Sequence, residues 1–141
     1  MTAVILPADL EGLSNYRVDV EFTMDAANDT GRWMSVMYRT SPADRTVAHE
    51  PYHQFALRQN ATASNGTEFA YRNNSTWSVQ STKAFTETIS SAKTYKATVI
   101  VYGNRVRQYL NGMLLHDATT MAGLEKGGVG LQTAGAKMRV K

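Results

Sequence analysis

Cysteine is absent from all 141 residues, which excludes disulfides, zinc–thiolate sites and cysteine nucleophiles together. The compartment stays open, because many secreted bacterial proteins carry no cysteine. No apolar run nears the roughly 18 residues that cross a bilayer. The opening MTAVILPADLEG lacks the basic start and cleavage site of a secretory leader, so any such segment would lie upstream. Charge of one sign is scarce as well. Fifteen Lys and Arg stand against twelve Asp and Glu, a formal balance of +3. The basic residues are scattered, which argues against nucleic acid as a partner. Helical period is missing too. ADLEGL and TTMAGLEKG hold a single turn each at most, and no segment keeps a 3.6-residue repeat beyond two turns. Proline occurs three times and 43% of residues are hydrophobic, so the chain is globular rather than disordered. Its length suits one domain with one core.

What is present is strand after strand. YRVDVEFTM alternates strictly, with Tyr16, Val18, Val20 and Phe22 on one face and Arg17, Asp19, Glu21 and Thr23 on the other. WMSVMYRT, YHQFALRQN, TEFAYRN, STWSVQ, YKATVIVY, RVRQYLNG, MLLHDAT, GGVGLQTAG and KMRVK follow, bounded by Asn, Gly, Ser, Asp or Pro. Short strands with turn chemistry between them predict an all-β antiparallel sandwich or barrel. Gly103-Asn104 and Asn111-Gly112 are hairpin turns, giving a meander over 95–102, 105–110 and 113–117. Val106, Gln108 and Leu110 then share one face, and Arg105, Arg107 and Tyr109 the other, which reads as a solvated surface. The expected core is Val18, Val20, Phe22, Val36, Phe55, Leu57, Phe69, Val99, Val101 and Leu131.

YKATVIVYGNRVRQYLNGMLLHDAT followed by GGVGLQTAGAKMRV resembles the C-terminal half of a concanavalin A-like (laminin-G-like) jelly roll. LSNYRVDVEFTM, GRWMSVMYR, YHQFALRQN and EFAYR extend the likeness over nearly the whole chain. The combination is similar to the domains attached to bacterial glycerophosphodiester phosphodiesterases. It is less closely similar to the 3-keto-disaccharide hydrolase family and to several sugar-binding modules. The resemblance implies a two-sheet antiparallel jelly roll over 1–141. It also implies a glycan-binding accessory role beside a catalytic domain in a longer parent chain, at the cell surface or outside the cell. The fold hosts lectins, glycosidases and inert spacers alike. A hydrolase acting on a disaccharide and a ligand-free spacer are therefore the alternatives. The family usually closes with another strand after KMRV, so the chain reads as part of a longer protein.

In such a fold sugars sit on the concave sheet, and alternation says what lines it. If Phe55 and Leu57 face the core, Tyr52, Gln54, Ala56 and Arg58 face out. By the same phase Glu68, Ala70 and Arg72 leave TEFAYR outward, and Trp33, Ser35, Met37 and Arg39 leave RWMSVMYR outward. Three consecutive strands thus end their outward rows in arginine, over a floor of small residues, with Trp77 as a wall. The candidate ligand-binding set is Trp33, Arg39, Gln54, Arg58, Glu68, Arg72 and Trp77. Aromatic rings stack on sugar faces, and guanidinium forks and amides satisfy hydroxyls or carboxylates. Cross-strand ion pairs between Glu68 and Arg58 or Arg72 are the alternative use of the same residues.

Catalysis finds less. The E-x-D-x-x-E run of jelly-roll glucanases is missing, no Ser-His-Asp arrangement or phosphate loop appears, and no catalytic residue is assigned. The acid-histidine cluster VAHEPYH holds His49, Glu50 and His53, but Pro51 breaks the helix that would aim both histidines at a metal. It reads as a loop with solvated histidines. DAANDTG places Asp25, Asn28 and Asp29 in one loop, where a structural calcium is the one cofactor to consider; otherwise none is expected.

Overall fold

The computed structural model describes residues 2–6, 12–27, 31–45 and 47–140. The alternating segments become eleven strands: β1 (Thr2–Ile5), β2 (Tyr16–Ala27), β3 (Trp33–Thr40), β4 (Tyr52–Arg58), β5 (Thr67–Asn73), β6 (Thr76–Lys83), β7 (Tyr95–Tyr102), β8 (Arg105–Leu110), β9 (Met113–Thr119), β10 (Gly128–Ala134) and β11 (Ala136–Val140). Among the described residues there is no α-helix. The chain is all-β, as its patterning requires.

Two antiparallel sheets form, one in the order β1-β10-β3-β4-β5-β6 and the other β11-β2-β7-β8-β9. Consecutive strands pair through β3 to β6 and β7 to β9, whereas β10 returns to β3 and β11 to β2. These long-range returns, which hairpins alone do not produce, give the sandwich its jelly-roll character. The sheets close on Phe22, Val36, Phe55, Leu57, Phe69, Tyr95, Val99 and Leu110, all at most 1% exposed. Eight of the ten expected core residues are buried; Val18 and Leu131 are only partly so, packed against the cluster. Leu131 lies on β10 opposite Val4 of the edge strand β1, beside the seam where β1 and β11 end the two sheets.

The meander follows its turn residues. Asn111 and Gly112 both take positive φ, 50° and 80°, the pair a primed two-residue turn demands. At the preceding hairpin Gly103 adopts φ 57°. Val106, Gln108 and Leu110 of β8 are buried, and Arg105 and Arg107 lie on the exposed face, both reaching Asp117 at 2.7 and 3.4 Å. Gln108, wholly buried, is satisfied from the opposite sheet. Its Oε1 accepts the Tyr38 hydroxyl at 2.7 Å and its Nε2 donates to the Glu68 carbonyl at 3.4 Å. A buried amide costs stability unless paired in this way, so this residue fixes one sheet against the other.

Candidate functional site

Along β3, β4 and β5 the outward rows lie as alternation predicts. Ser35 opposes Ala56, which opposes Glu68; Met37 opposes Gln54, which opposes Ala70. On β6 a bulge beside Ala70 brings Val79 opposite it, and Trp77 opposite Arg72. An outward sheet face normally meets water. Here Ser35, Met37, Gln54, Ala56 and Ala70 are all 4% exposed or less, because large side chains lean over them. The Trp33 and Trp77 rings meet edge to face with centroids 5.7 Å apart, and Trp77 meets Tyr52 the same way at 6.2 Å. They start three strands apart and towards opposite ends of the β4 row, so both rings reach across the intervening floor. Beneath them lies a hollow of about 150 Å³, lined by Trp33, Gln54, Arg58, Glu68, Trp77 and small residues.

The polar groups of this hollow are unevenly satisfied. Arg58 donates to the carbonyls of Asn65 (3.0 Å) and Gly31 (2.7 Å) and closely contacts a Glu68 carboxylate oxygen. Arg72 donates through Nε to Glu50 at 3.3 Å and lays its guanidinium 4.3 Å from the Trp77 ring centre. Both arginines are therefore neutralised by carboxylates that are themselves buried. On the outward rows, by contrast, the Ser35 hydroxyl and the Gln54 side-chain oxygen are buried with no partner in the protein. Orphaned polar atoms of that kind cost on the order of 1–3 kcal/mol each. Ser35 lies diagonally from Gln54 across β3 and β4, and Gln54 lines the hollow, where an incoming hydroxyl gains more than it would on an ordinary surface.

Of the seven predicted ligand-binding residues, Trp33, Gln54, Arg58, Glu68 and Trp77 line the hollow and Arg72 flanks it. Arg39 does not. At φ 49° it leaves the strand phase, so its side chain turns away from the outer row. It ends 1% exposed at one end of the sandwich, donating to the carbonyls of Ser14 (2.7 Å), Gly103 (2.8 Å) and Leu124 (3.2 Å). Burial pulls its pKa below the usual arginine value. The expected gathering of three arginines fails for a second reason. Strands run antiparallel, so Arg58 pairs with Trp33 at one end of β4 and Arg72 pairs with Tyr52 at the other. The two arginines bracket the groove instead of converging.

Of the two histidines expected in a solvated loop, His49 lies in the loop before β4 and is partly exposed, whereas His53 is neither in the loop nor solvated. His53 faces the core, wholly buried between the stacked rings of Tyr38 and Phe69. Its Nε2 accepts the Met121 amide at 2.8 Å. Burial, then the nearby Arg39 charge, lowers its pKa to about 3. His49 sits at φ 65° with Nδ1 3.0 Å from the Ser41 carbonyl. Between them, Glu50 is 7% exposed and reaches the groove wall through Arg72. Sequence reasoning missed that role; the outward arginine on β5, in need of a counter-charge, was its only trace. Asp25 accepts from Thr23 (2.9 Å) and Arg139 (3.2 Å), whereas Asn28 and Asp29 lie outside the described residues. No cluster of three His, Asp or Glu side chains suited to a metal occurs among the described residues.

The chain belongs to the 3-keto-alpha-glucoside-1,2-lyase-like domain family. The match covers residues 7–141. Among curated proteins none matches the sequence significantly. Among solved structures, the carbohydrate-binding module CBM66 from Bacillus subtilis superposes with a TM-score of 0.73 at 19% identity, over 91% of this chain and 72% of that one. The galectin LEC-6 of Caenorhabditis elegans gives 0.61 at 12% identity, over 99% and 89%. The β-glucanase of Bacillus licheniformis gives 0.54 at 18% identity, over 87% and 56%. At these identities the structural likenesses establish the jelly-roll fold of this family member and nothing finer.

Proposed function

We propose that this lyase-like domain is a non-catalytic carbohydrate-binding module that holds a single sugar ring under Trp33 and Trp77. The observation that carries the reading is Gln54, whose buried side-chain oxygen has no partner in the protein and which lines the hollow together with Trp33 and Trp77. A sugar hydroxyl satisfies that oxygen, and the tryptophans stack on the ring's apolar face. The hollow of about 150 Å³ is smaller than the roughly 300–1,000 Å³ of sites for drug-sized ligands, which favours one terminal ring over a long chain segment. Binding rather than turnover is supported by the carboxylates present, since Glu68 and Glu50 are each engaged by an arginine. We further infer a parent chain that is a secreted or surface bacterial hydrolase, of the glycerophosphodiester phosphodiesterase kind. The sequence resemblance is the support for that inference.

Family membership favours a second reading, eliminative cleavage of a 3-keto-alpha-glucoside in the same hollow. One experiment separates the two. The domain is screened on a glycan array and titrated by calorimetry with the best ligand. It is then incubated with a 3-keto-alpha-glucoside while aglycone release is followed. Saturable binding that Trp77→Ala abolishes, with no release above the no-protein control, supports the module. Release that tracks protein concentration overturns it.

A further inference from the structure

One side chain that does not line the groove contacts two of the segments beside it. Glu50 stands in the loop before β4, its backbone N–H donating to the Val47 carbonyl at 3.0 Å. The preceding residue is anchored on both sides, the Ser41 amide donating to the His49 carbonyl at 3.0 Å. From there the Glu50 carboxylate, 7% exposed, makes two contacts on the far side of the sheet edge. One oxygen accepts the Ser75 backbone amide at 2.7 Å; the other accepts Arg72 Nε at 3.3 Å. Ser75 belongs to the β5–β6 turn, where Asn74 and Ser75 both take positive φ, 51° and 60°. Arg72 is the cross-strand partner of Trp77 and holds its guanidinium carbon over the indole, 4.3 Å from the ring centre. One carboxylate thus holds the turn that launches β6 and the cation on which the Trp77 ring rests.

We propose that Glu50 is a positioning residue for the groove, setting the Trp77 ring through Arg72 and Ser75. The proposal rests on the reading of the groove as a sugar site. Trp77 begins on the edge strand of its sheet and its own strand neighbours are exposed, Thr76 and Ser78 among them. Little else on β6 restrains where the indole lies. Without the carboxylate, Arg72 loses its counter-charge and is drawn to water, because a largely desolvated guanidinium prefers hydration to an unpaired place on a ring. The indole then loses its support from below and its fixed edge-on approach to Trp33 and Tyr52. Holding aromatic walls in place before the ligand arrives lowers the ordering cost of binding.

The chain's two tryptophans, Trp33 and Trp77, are both groove residues, so indole emission reports on this site alone. Glu50→Gln keeps the size and an acceptor for Ser75 but removes the charge facing Arg72. Its acrylamide quenching constant is expected to rise about two-fold and its near-ultraviolet dichroism to weaken, with an unchanged far-ultraviolet spectrum. Affinity for the glycan that the wild type selects from the array is expected to fall about ten-fold, the loss of one charge-assisted contact. Arg72→Lys, which keeps a cation but not the flat guanidinium, is expected to give the same pattern and stands in should Glu50→Gln fail to fold. Quenching and dichroism identical to wild type in the folded variants overturn the proposal, whatever happens to binding. Failure of the wild type to bind any glycan overturns the groove's function instead, and leaves the ligand-free optical comparison to decide the role of Glu50.

Discussion

Removing the Arg58 guanidinium strands Glu68, whose side chain is only 10% exposed. The sequence alone treats Arg58 as a solvated arginine, replaceable at little cost to folding. Its three acceptors show otherwise, because each donated bond ties a different segment to the end of β4. Arg58→Ala is expected to lower the unfolding free energy by about 1–3 kcal/mol, the range for leaving a part-buried charged group unpaired. Adding Glu68→Gln should recover part of that loss, since a neutral amide is cheaper to bury than a lone carboxylate. Urea titrations of the single and double variants check it; a double variant weaker than the sum of both singles contradicts the pairing. Arg39 shows where residue-level reading stops. Alternation sends it outward, and only a positive φ, which no sequence pattern around Tyr38 and Thr40 announces, sends it in.

At the scale of strands, the in-and-out rows of β3, β4 and β5 were legible because a period of two leaves no latitude once Phe55 and Leu57 are assigned to the core. What alternation does not show is which inward polar residues are satisfied across the sandwich. His116 on β9 is such a case. Thr67 Oγ1 donates to the Lys83 carbonyl at 2.7 Å and so accepts from His116 Nε2 at 2.9 Å. Nδ1 is then the acceptor for the Ser81 hydroxyl, in close contact with it. The neutral ring joins β5, β6 and β9. Burial, then the Lys83 charge, lowers its pKa to about 4, and His53 lies lower still, at about 3. An unfolded histidine titrates near 6.5, so below that pH the unfolded chain takes up protons that the folded one refuses. The contribution of both rings to stability is complete above pH 6.5 and declines as pH falls towards 4, then 3. Between pH 7.5 and pH 5 the unfolding free energy should drop by about 2 kcal/mol or more. A urea midpoint unchanged over that interval would mean that the rings are protonated in place.

For the whole molecule, the two sheets present opposite outer faces, and the charge on each is handled differently. On the six-stranded sheet the outer row is buried under tryptophans, and its arginines are committed to buried carboxylates. On the five-stranded sheet the ribbon around Arg105 and Arg107 is open. Both side chains are more than half exposed, sharing Asp117, which is itself 37% exposed. Arg17 and Asp19 pair in the same exposed manner on β2. Such pairs contribute about 0–1 kcal/mol and are screened by salt. They make a solvated surface on which, among the described residues, no buried polar side-chain atom lacks a partner. Changing Arg105 and Arg107 together to serine is therefore expected to leave glycan affinity within about two-fold of wild type and stability within about 1 kcal/mol. Trp33→Ala, which touches only the other sheet, is expected to abolish binding. Side-by-side calorimetry with one glycan tests both halves of this expectation. Loss of binding in the serine variant, with Trp33→Ala still competent, would move the ligand to the open ribbon and leave the roofed floor as structure alone.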